Sequence, residues 1–302
     1  MPPTTTSIVI ASFSSIQHLE RCLSSIEKFA ANNEIIVSTI FTIEMLAPLL
    51  KKYTFLPVYN PNEQDLKSIQ LRETRVFRLR SNGLKVASGV KIILLEDHCE
   101  ITSNWFESIQ THLNNSKRIV GGPVENGSSH SFYHWSLYWS EYAAMMPPLP
   151  EGSIPYISAV NCAYDKSALD SCKETWLDGF YDNEVHDALI GQGASYYLAP
   201  GAIVRTSLPF KFSQALVHLY TGGKRYGRYR GGNYWNLTRL VRILSTILVP
   251  AVLLTRVFNI VLKRQPNRIK VFIFAWPILY LLLSAWGFGE MIGTILGNKN
   301  KN

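Results

Sequence analysis

IILLEDHCE, residues 92–100, runs four apolar side chains straight into two carboxylates and an imidazole. Consecutive apolar residues suit a strand buried on both faces. The Glu96, Asp97 and His98 that follow demand water, a cation or hydrogen-bond donors. Such a strand fits the interior of an open α/β sheet, where ligands gather beyond the carboxyl ends of the strands. Two hard oxygen donors beside an imidazole suit a divalent cation, which would neutralise phosphate oxygens. The competing reading is that Glu96 and Asp97 cap the helix containing Trp105 or solvate a loop.

The flanking sequence repeats one pattern. SIVI at residues 7–10 reads as a strand, and Ile16, Leu19, Cys22, Leu23 and Ile26 follow at helical spacing. EIIVS at 34–38 and IEMLAPLLKKY at 43–53 repeat the pair, and residues 82–88 predict a short helix closed by Gly89 before the strand VKIILL. Alternating strands and helices imply parallel pairing in an α/β sheet. Beyond the carboxylates the sequence predicts a helix over 105–113, a strand RIVGGPVENG broken by Gly-Gly-Pro, an aromatic helix over 131–142 and a strand over 156–164. A helix over 181–192, a strand SYYLAP and a basic helix around YTGGKRYGRYR complete the order.

A chain of 302 residues, 47% hydrophobic and 17% charged, suffices for one large domain and an appendage. Residues 1–187 carry 15 Lys and Arg against 21 Asp and Glu, whereas residues 188–302 carry 15 against Glu290 alone. A one-signed basic segment suits polyanions. Here the cations flank two apolar segments, 240–262 and 269–296, and not a folded basic face, which points to a membrane and argues against nucleic acid. The second segment reads as a membrane helix; the first, bracketed by Arg242 and Arg256, reads as interfacial or re-entrant. The intervening LKRQPNRIK places that loop in the cytoplasm by the positive-inside rule. MPPTTTSIVI lacks the features of a signal peptide, and cysteines 22, 99, 162 and 172 read as reduced thiols. The expected organisation is a domain over 1–235 and a membrane-anchoring helical segment over 236–302, with the domain on the cytoplasmic side of the cell membrane.

The order SIVIASF, EIIVS, RLRSNGLKVASGVKIILLEDHCE, IVGGPVENG, YDNEVHDALIGQGASYYLAPGAIV and a C-terminal membrane segment resembles family 2 glycosyltransferases of the membrane-bound bacterial type, over residues 5–235. The resemblance implies a GT-A fold, a Rossmann-like mixed sheet flanked by helices and followed by C-terminal membrane helices. It implies inverting transfer from a nucleotide-sugar donor to a lipid-linked or cell-surface glycan acceptor. Residues 96–98 take the place of the DxD motif that holds Mn or Mg and the diphosphate. Arg80 lines the nucleotide site, and the loop of Ala11, Ser12 and Phe13 contacts the base. Two departures stand out: Ser38 and Thr39 occupy the place of a base-holding Asp, and His98 that of the second Asp. They leave open an alternative, a catalytically silent membrane scaffold that keeps the fold.

Inverting transfer needs a carboxylate that accepts the acceptor's proton. In the family it opens a helix about ten residues before a glycine, and counting back from Gly193 brings Asp182 to that position with Glu184 two residues on. Both fall in the first helical turn, where the helix dipole favours carboxylate. The alternative for Asp182 is a plain N-cap. Trp135 and Trp139, one turn apart, suit either a sugar platform or packing. Lys224 to Arg230 suit lipid headgroups or a diphosphate.

Overall fold

The computed structural model describes residues 6–60, 69–113, 118–128, 131–231 and 237–297. They form two compact units, one from residues 1–127 and 145–207 and the other from 128–144 and 208–302. The first holds strands β1 (Thr6–Ser12), β2 (Glu34–Thr39), β3 (Leu56–Tyr59), β4 (Lys91–Glu96), β5 (Cys99–Ile101), β6 (Arg118–Gly121), β7 (Val124–Asn126), β8 (Gly152–Ser153), β9 (Asn161–Asp165), β10 (Ser195–Leu198) and β11 (Val204–Thr206). Its helices are α1 (Ile16–Ile26), α2 (Ile43–Lys52), α3 (Ile69–Val86), α4 (Trp105–His112), α6 (Lys166–Ser171) and α7 (Asp182–Gly191).

Eight strands make one mixed sheet in the order β3-β2-β1-β4-β9-β6-β10-β8. Strands β1 to β4 run parallel, and β9 enters antiparallel between β4 and β6. The β-branched and leucine runs of β1, β2 and β4 are buried on both faces, as crossover helices require. Ala11 lies opposite Glu96, so the turn after β1 meets the charged end of β4. The Gly-Gly-Pro break sends β6 into this sheet and β7 into a second, β5-β11-β7. A side chain on Gly122 would place its Cβ 1.7 Å from the Ala202 carbonyl oxygen, so only glycine lets the two segments cross there.

α3 departs from expectation. It begins thirteen residues earlier than the short helix expected at 82, because its arginine-rich first half lacks an apolar stripe. Gly83 explains how it docks: a Cβ there would stand 2.4 Å from Val9 Cγ1, so α3 lies directly on β1.

Asn161 ties the first unit together. Its Oδ1 accepts from Trp105 Nε1 at 2.8 Å, and its Nδ2 donates to the carbonyls of Ala202 at 2.7 Å and Pro123 at 3.3 Å. All three partners sit where water does not reach. Asn161→Leu should therefore cost about 3 kcal/mol of unfolding free energy, read by denaturant titration. A loss below about 1 kcal/mol would show that the crossing loops hold without it.

The second unit contains α5 (Phe132–Tyr142), α8 (Phe212–Gly231), α9 (Leu237–Ser245), α10 (Val249–Arg264) and α11 (Ile269–Leu296). α8 and α11 run side by side through glycines. A Cβ on Gly223 would lie 2.1 Å from the Trp286 carbonyl oxygen, and one on Gly289 would lie 1.9 Å from that of Tyr220. The small residues of GFGEMIG, 287–293, thus permit close helix packing. Trp135 and Trp139 are buried with centroids 5.2 Å apart, and Trp139 packs on Phe272 of α11 at 5.6 Å. Packing claims the pair, which leaves no sugar platform there.

The first apolar segment is divided into α9, a 3-10 turn over Thr246–Leu248 and α10. By length and composition Arg239–Arg264 and Pro266–Leu296 could each cross a membrane. The boundary expected at residue 235 lies outside the described residues. The second unit also takes in α5 and α8, because the glycine face of α8 is completed only by α11.

Candidate active site

Side chains alternate along β4. Ile92 and Leu94 join a core with Cys162, Tyr164, Phe180 and Val185, and Glu96 continues that face to the strand end. Asp97 therefore turns the other way, toward the β1–α1 turn. Its Oδ2 accepts from the backbone N–H of Phe13 and Ser14, both at 2.8 Å, and from Ser12 Oγ at 3.2 Å; its Oδ1 accepts from Ser14 Oγ at 2.6 Å. Burial pushes the Asp97 carboxyl up to about 7, while the Ser14 and Phe13 donors pull it down. Of the residues expected to meet the base, Ser12 and Phe13 are thus held by Asp97, and Ala11 is fully buried in β1.

On the other face Arg80 of α3 is buried and its guanidinium pairs with Glu96 Oε1 at 2.5 Å. His98 Nδ1 lies 3.6 Å from Glu96 Oε2. Two ligands on one small divalent ion stand roughly 3 Å apart, so Glu96 and His98 fit a shared cation with little adjustment. Asp97 does not fit, because both its oxygens are engaged by the β1–α1 turn; the expected three-residue ligand set reduces to two. Among the described residues no group of three His, Cys, Asp or Glu stands in ligating geometry.

Ser38 is fully buried at the end of β2, where it accepts from Asn60 Nδ2 at 3.1 Å. Asn60 Nδ2 also reaches the Thr39 carbonyl at 3.2 Å, and Asn60 Oδ1 accepts from Asn82 Nδ2 at 2.5 Å. An amide chain linking β2, β3 and α3 occupies the place expected for a base-holding carboxylate. Nothing in the sequence signals it, since the three residues are far apart.

Asp182 opens α7, and Tyr181 occupies the N-cap with no side-chain cap, so the plain N-cap reading does not apply to Asp182. Asp182 is half-buried and Glu184 is exposed. One turn after Asp182, His186 is buried and its Nε2 lies 2.7 Å from the hydroxyl of Tyr164. Burial pushes His186 down to about 4, with Asp182 raising it and Arg80 lowering it. The same two charges act in opposite senses on Tyr164 and Cys162. Arg80 lies 5.9 Å from the Phe77 ring, and Phe77 stacks at 4.6 Å on Tyr181, the residue before Asp182, so α3 links the Glu96 end of β4 to the start of α7. His186, which on sequence alone suits a solvated or structural role, is structural here, and its Tyr164 partner lies 22 positions away with no local signal.

His186 stays neutral when folded and takes a proton when unfolded, so its contribution to stability is complete above about pH 6.5 and is lost as pH falls toward 4. His186→Gln should flatten the fall of the thermal midpoint between those limits, relative to the parent chain. Identical slopes in both proteins would remove His186 from the acid response.

The model of the family described as Glycosyl transferase family 2 matches residues 7–172, more than half of the chain. The chain belongs to glycosyl transferase family 2. As a family 2 glycosyltransferase it carries the GT-A fold, with the mixed sheet and flanking helices described above. The match runs from β1 to the helix α6 and stops before α7, so it does not reach Asp182. Among solved structures this glycosyltransferase is similar to one titled as S. aureus TarS 1-349, at 10% identity, 92% coverage of this chain, 80% of that chain and a TM-score of 0.48. No curated protein matches the chain.

Proposed function

We propose that this glycosyltransferase moves a sugar from a nucleotide-sugar donor to a hydroxyl of a lipid-linked or cell-surface glycan acceptor, with inversion. One observation carries the reading. The buried Arg80–Glu96 pair at the end of β4 is linked, through Phe77 under Arg80 and Tyr181 stacked on Phe77, to the half-buried Asp182 that opens α7.

Arg80 balances the diphosphate charge of the donor. Glu96 and His98 would hold a divalent cation, Mn or Mg, which when bound supplies further neutralisation of the departing diphosphate. Asp182 accepts the proton of the acceptor hydroxyl as its oxygen bonds to the anomeric carbon. The carbon–oxygen bond to the diphosphate breaks on the opposite side, and the nucleoside diphosphate leaves with the bonding pair. The turn of Ser12, Phe13 and Ser14, pinned by Asp97, and the Ser38 end of β2 form the floor under the nucleoside.

The enzyme works at the cell membrane with its catalytic unit on the cytoplasmic side. Support comes from the two long apolar helices, the basic residues 263–270 between them and four buried thiols. The test is a thermal-shift panel of nucleoside diphosphates and their sugars, with and without Mn, followed by the anomeric configuration of the product by NMR. A true donor raises the midpoint by mass action. If no nucleoside diphosphate shifts it, the chain is a silent scaffold; if the product retains configuration, Asp182 is not the base.

A further inference from the structure

α9 is amphipathic in the sense opposite to a water-facing helix. Leu237, Leu240, Val241 and Leu244 are 76%, 47%, 56% and 59% exposed, and the apolar run continues through Leu248 at 64%. At 100° per residue the four in α9 share one face. The arginines turn inward. Arg239 is 3% exposed and donates from Nε to the Thr294 carbonyl and from a terminal nitrogen to that of Ile295, both at 2.8 Å. Arg242 donates to the Arg230 carbonyl. In water this arrangement would hide the polar groups and display the leucines, which nothing in solution rewards.

The surroundings identify what covers the leucines. Arg239 caps the last carbonyls of α11, and Gly227 and Gly231 of α8 pack against that same end. The basic end of α8, Lys224 to Arg230, therefore lies at the same level as α9, and Glu290 is the sole acid of residues 188–302. A leucine face collared by cations is complementary to acyl chains under anionic headgroups. α9 by itself spans about 14 Å, under half of the hydrocarbon thickness, so only together with the turn and α10, as the run Arg239–Arg264, is it long enough to cross. The 3-10 turn and Pro250 then separate α9 from α10.

We propose that α9 and the 3-10 turn after it form an in-plane anchor, lying in one leaflet of an anionic membrane with Leu240, Leu244 and Leu248 in the outer acyl region. The proposal rests on the membrane reading above and adds the depth, orientation and lipid charge. The occupant is an anionic lipid leaflet.

Depth-dependent quenching tests it on the full chain. Leu240, Leu244 and Leu248, and Leu281 of α11 as a reference, are changed singly to Cys and labelled with an environment-sensitive fluorophore. All four sites are exposed and the native cysteines are buried, so the label goes to the introduced thiol. In phosphatidylglycerol-containing bilayers, a nitroxide near the headgroup should quench the probes at 240, 244 and 248 alike, within about twofold, because an in-plane segment keeps one depth. A crossing helix would instead descend by about 12 Å over these eight residues and give graded quenching, which overturns the proposal. Quenching at Leu281 but none at the other three sites overturns it too, while leaving the membrane reading intact. No quenching at any of the four sites overturns both. In phosphatidylcholine alone, shallow quenching at Leu244 should fall about fivefold, as loss of one lipid–cation attraction implies; equal values in both bilayers would overturn the anionic requirement.

Discussion

Asp182→Asn should lower the rate of sugar transfer about 1,000-fold, the usual scale for loss of a general base. Donor affinity should remain unchanged. Asparagine keeps the size of the side chain and cannot take the acceptor proton. Asp182 is the half-buried member of the two acids in the first turn of α7, and it follows Tyr181, which stacks on Phe77 of α3 at 4.6 Å. Glu184, exposed and two residues further round the helix, faces elsewhere. Glu184→Gln should accordingly stay within about twofold of the parent, the range of an ordinary surface change. Single-turnover rates, with donor binding measured separately by thermal shift, distinguish the two. If Asp182→Asn keeps a tenth of the activity while Glu184→Gln loses it, the roles are exchanged.

Gly289→Ala should separate α8 from α11, at a cost on the order of 3 kcal/mol or more. The added methyl would lie 1.9 Å from the Tyr220 carbonyl oxygen and 2.9 Å from the Lys224 nitrogen. Both are backbone atoms of a helix, so no rotamer change relieves the clash; the two helices must part. Their separation would also unseat Arg230 of α8 from Glu290 of α11. Proteolytic protection of residues 208–297 in a bilayer measures the effect. Gly191→Ala, whose Cβ would meet nothing within 4 Å, is the matched control. Full protection of the Gly289 variant would mean that the helices pack otherwise.

Long apolar runs made β1, β2 and β4 legible in the sequence, and so the parallel half of the sheet. The periodicity of residues 16–26 did the same for α1. Strands β3, β5, β8 and β11 have two to four residues each, too few to display any period, and tertiary pairing alone creates them. The first half of α3 was hidden because arginines interrupt its apolar face. At the site, the carboxylates of β4 and the start of α7 could be placed by motif and spacing. The separate job of Asp97 could not, since its four donors come from residues 12–14, more than eighty positions away. Separations of 22 positions likewise concealed each link of the Ser38–Asn60–Asn82 chain and the Tyr164–His186 bond.

The aromatic helix α5 leaves the first unit at residue 128 and returns to it at 145, yet its tryptophans are sheathed by α11. Truncation before residue 208 in search of a soluble enzyme would therefore strip that sheath and leave an indole-rich strip open to self-association. A well-behaved short form has to shed the excursion between 128 and 144 together with the tail, bridging the gap with a few polar residues.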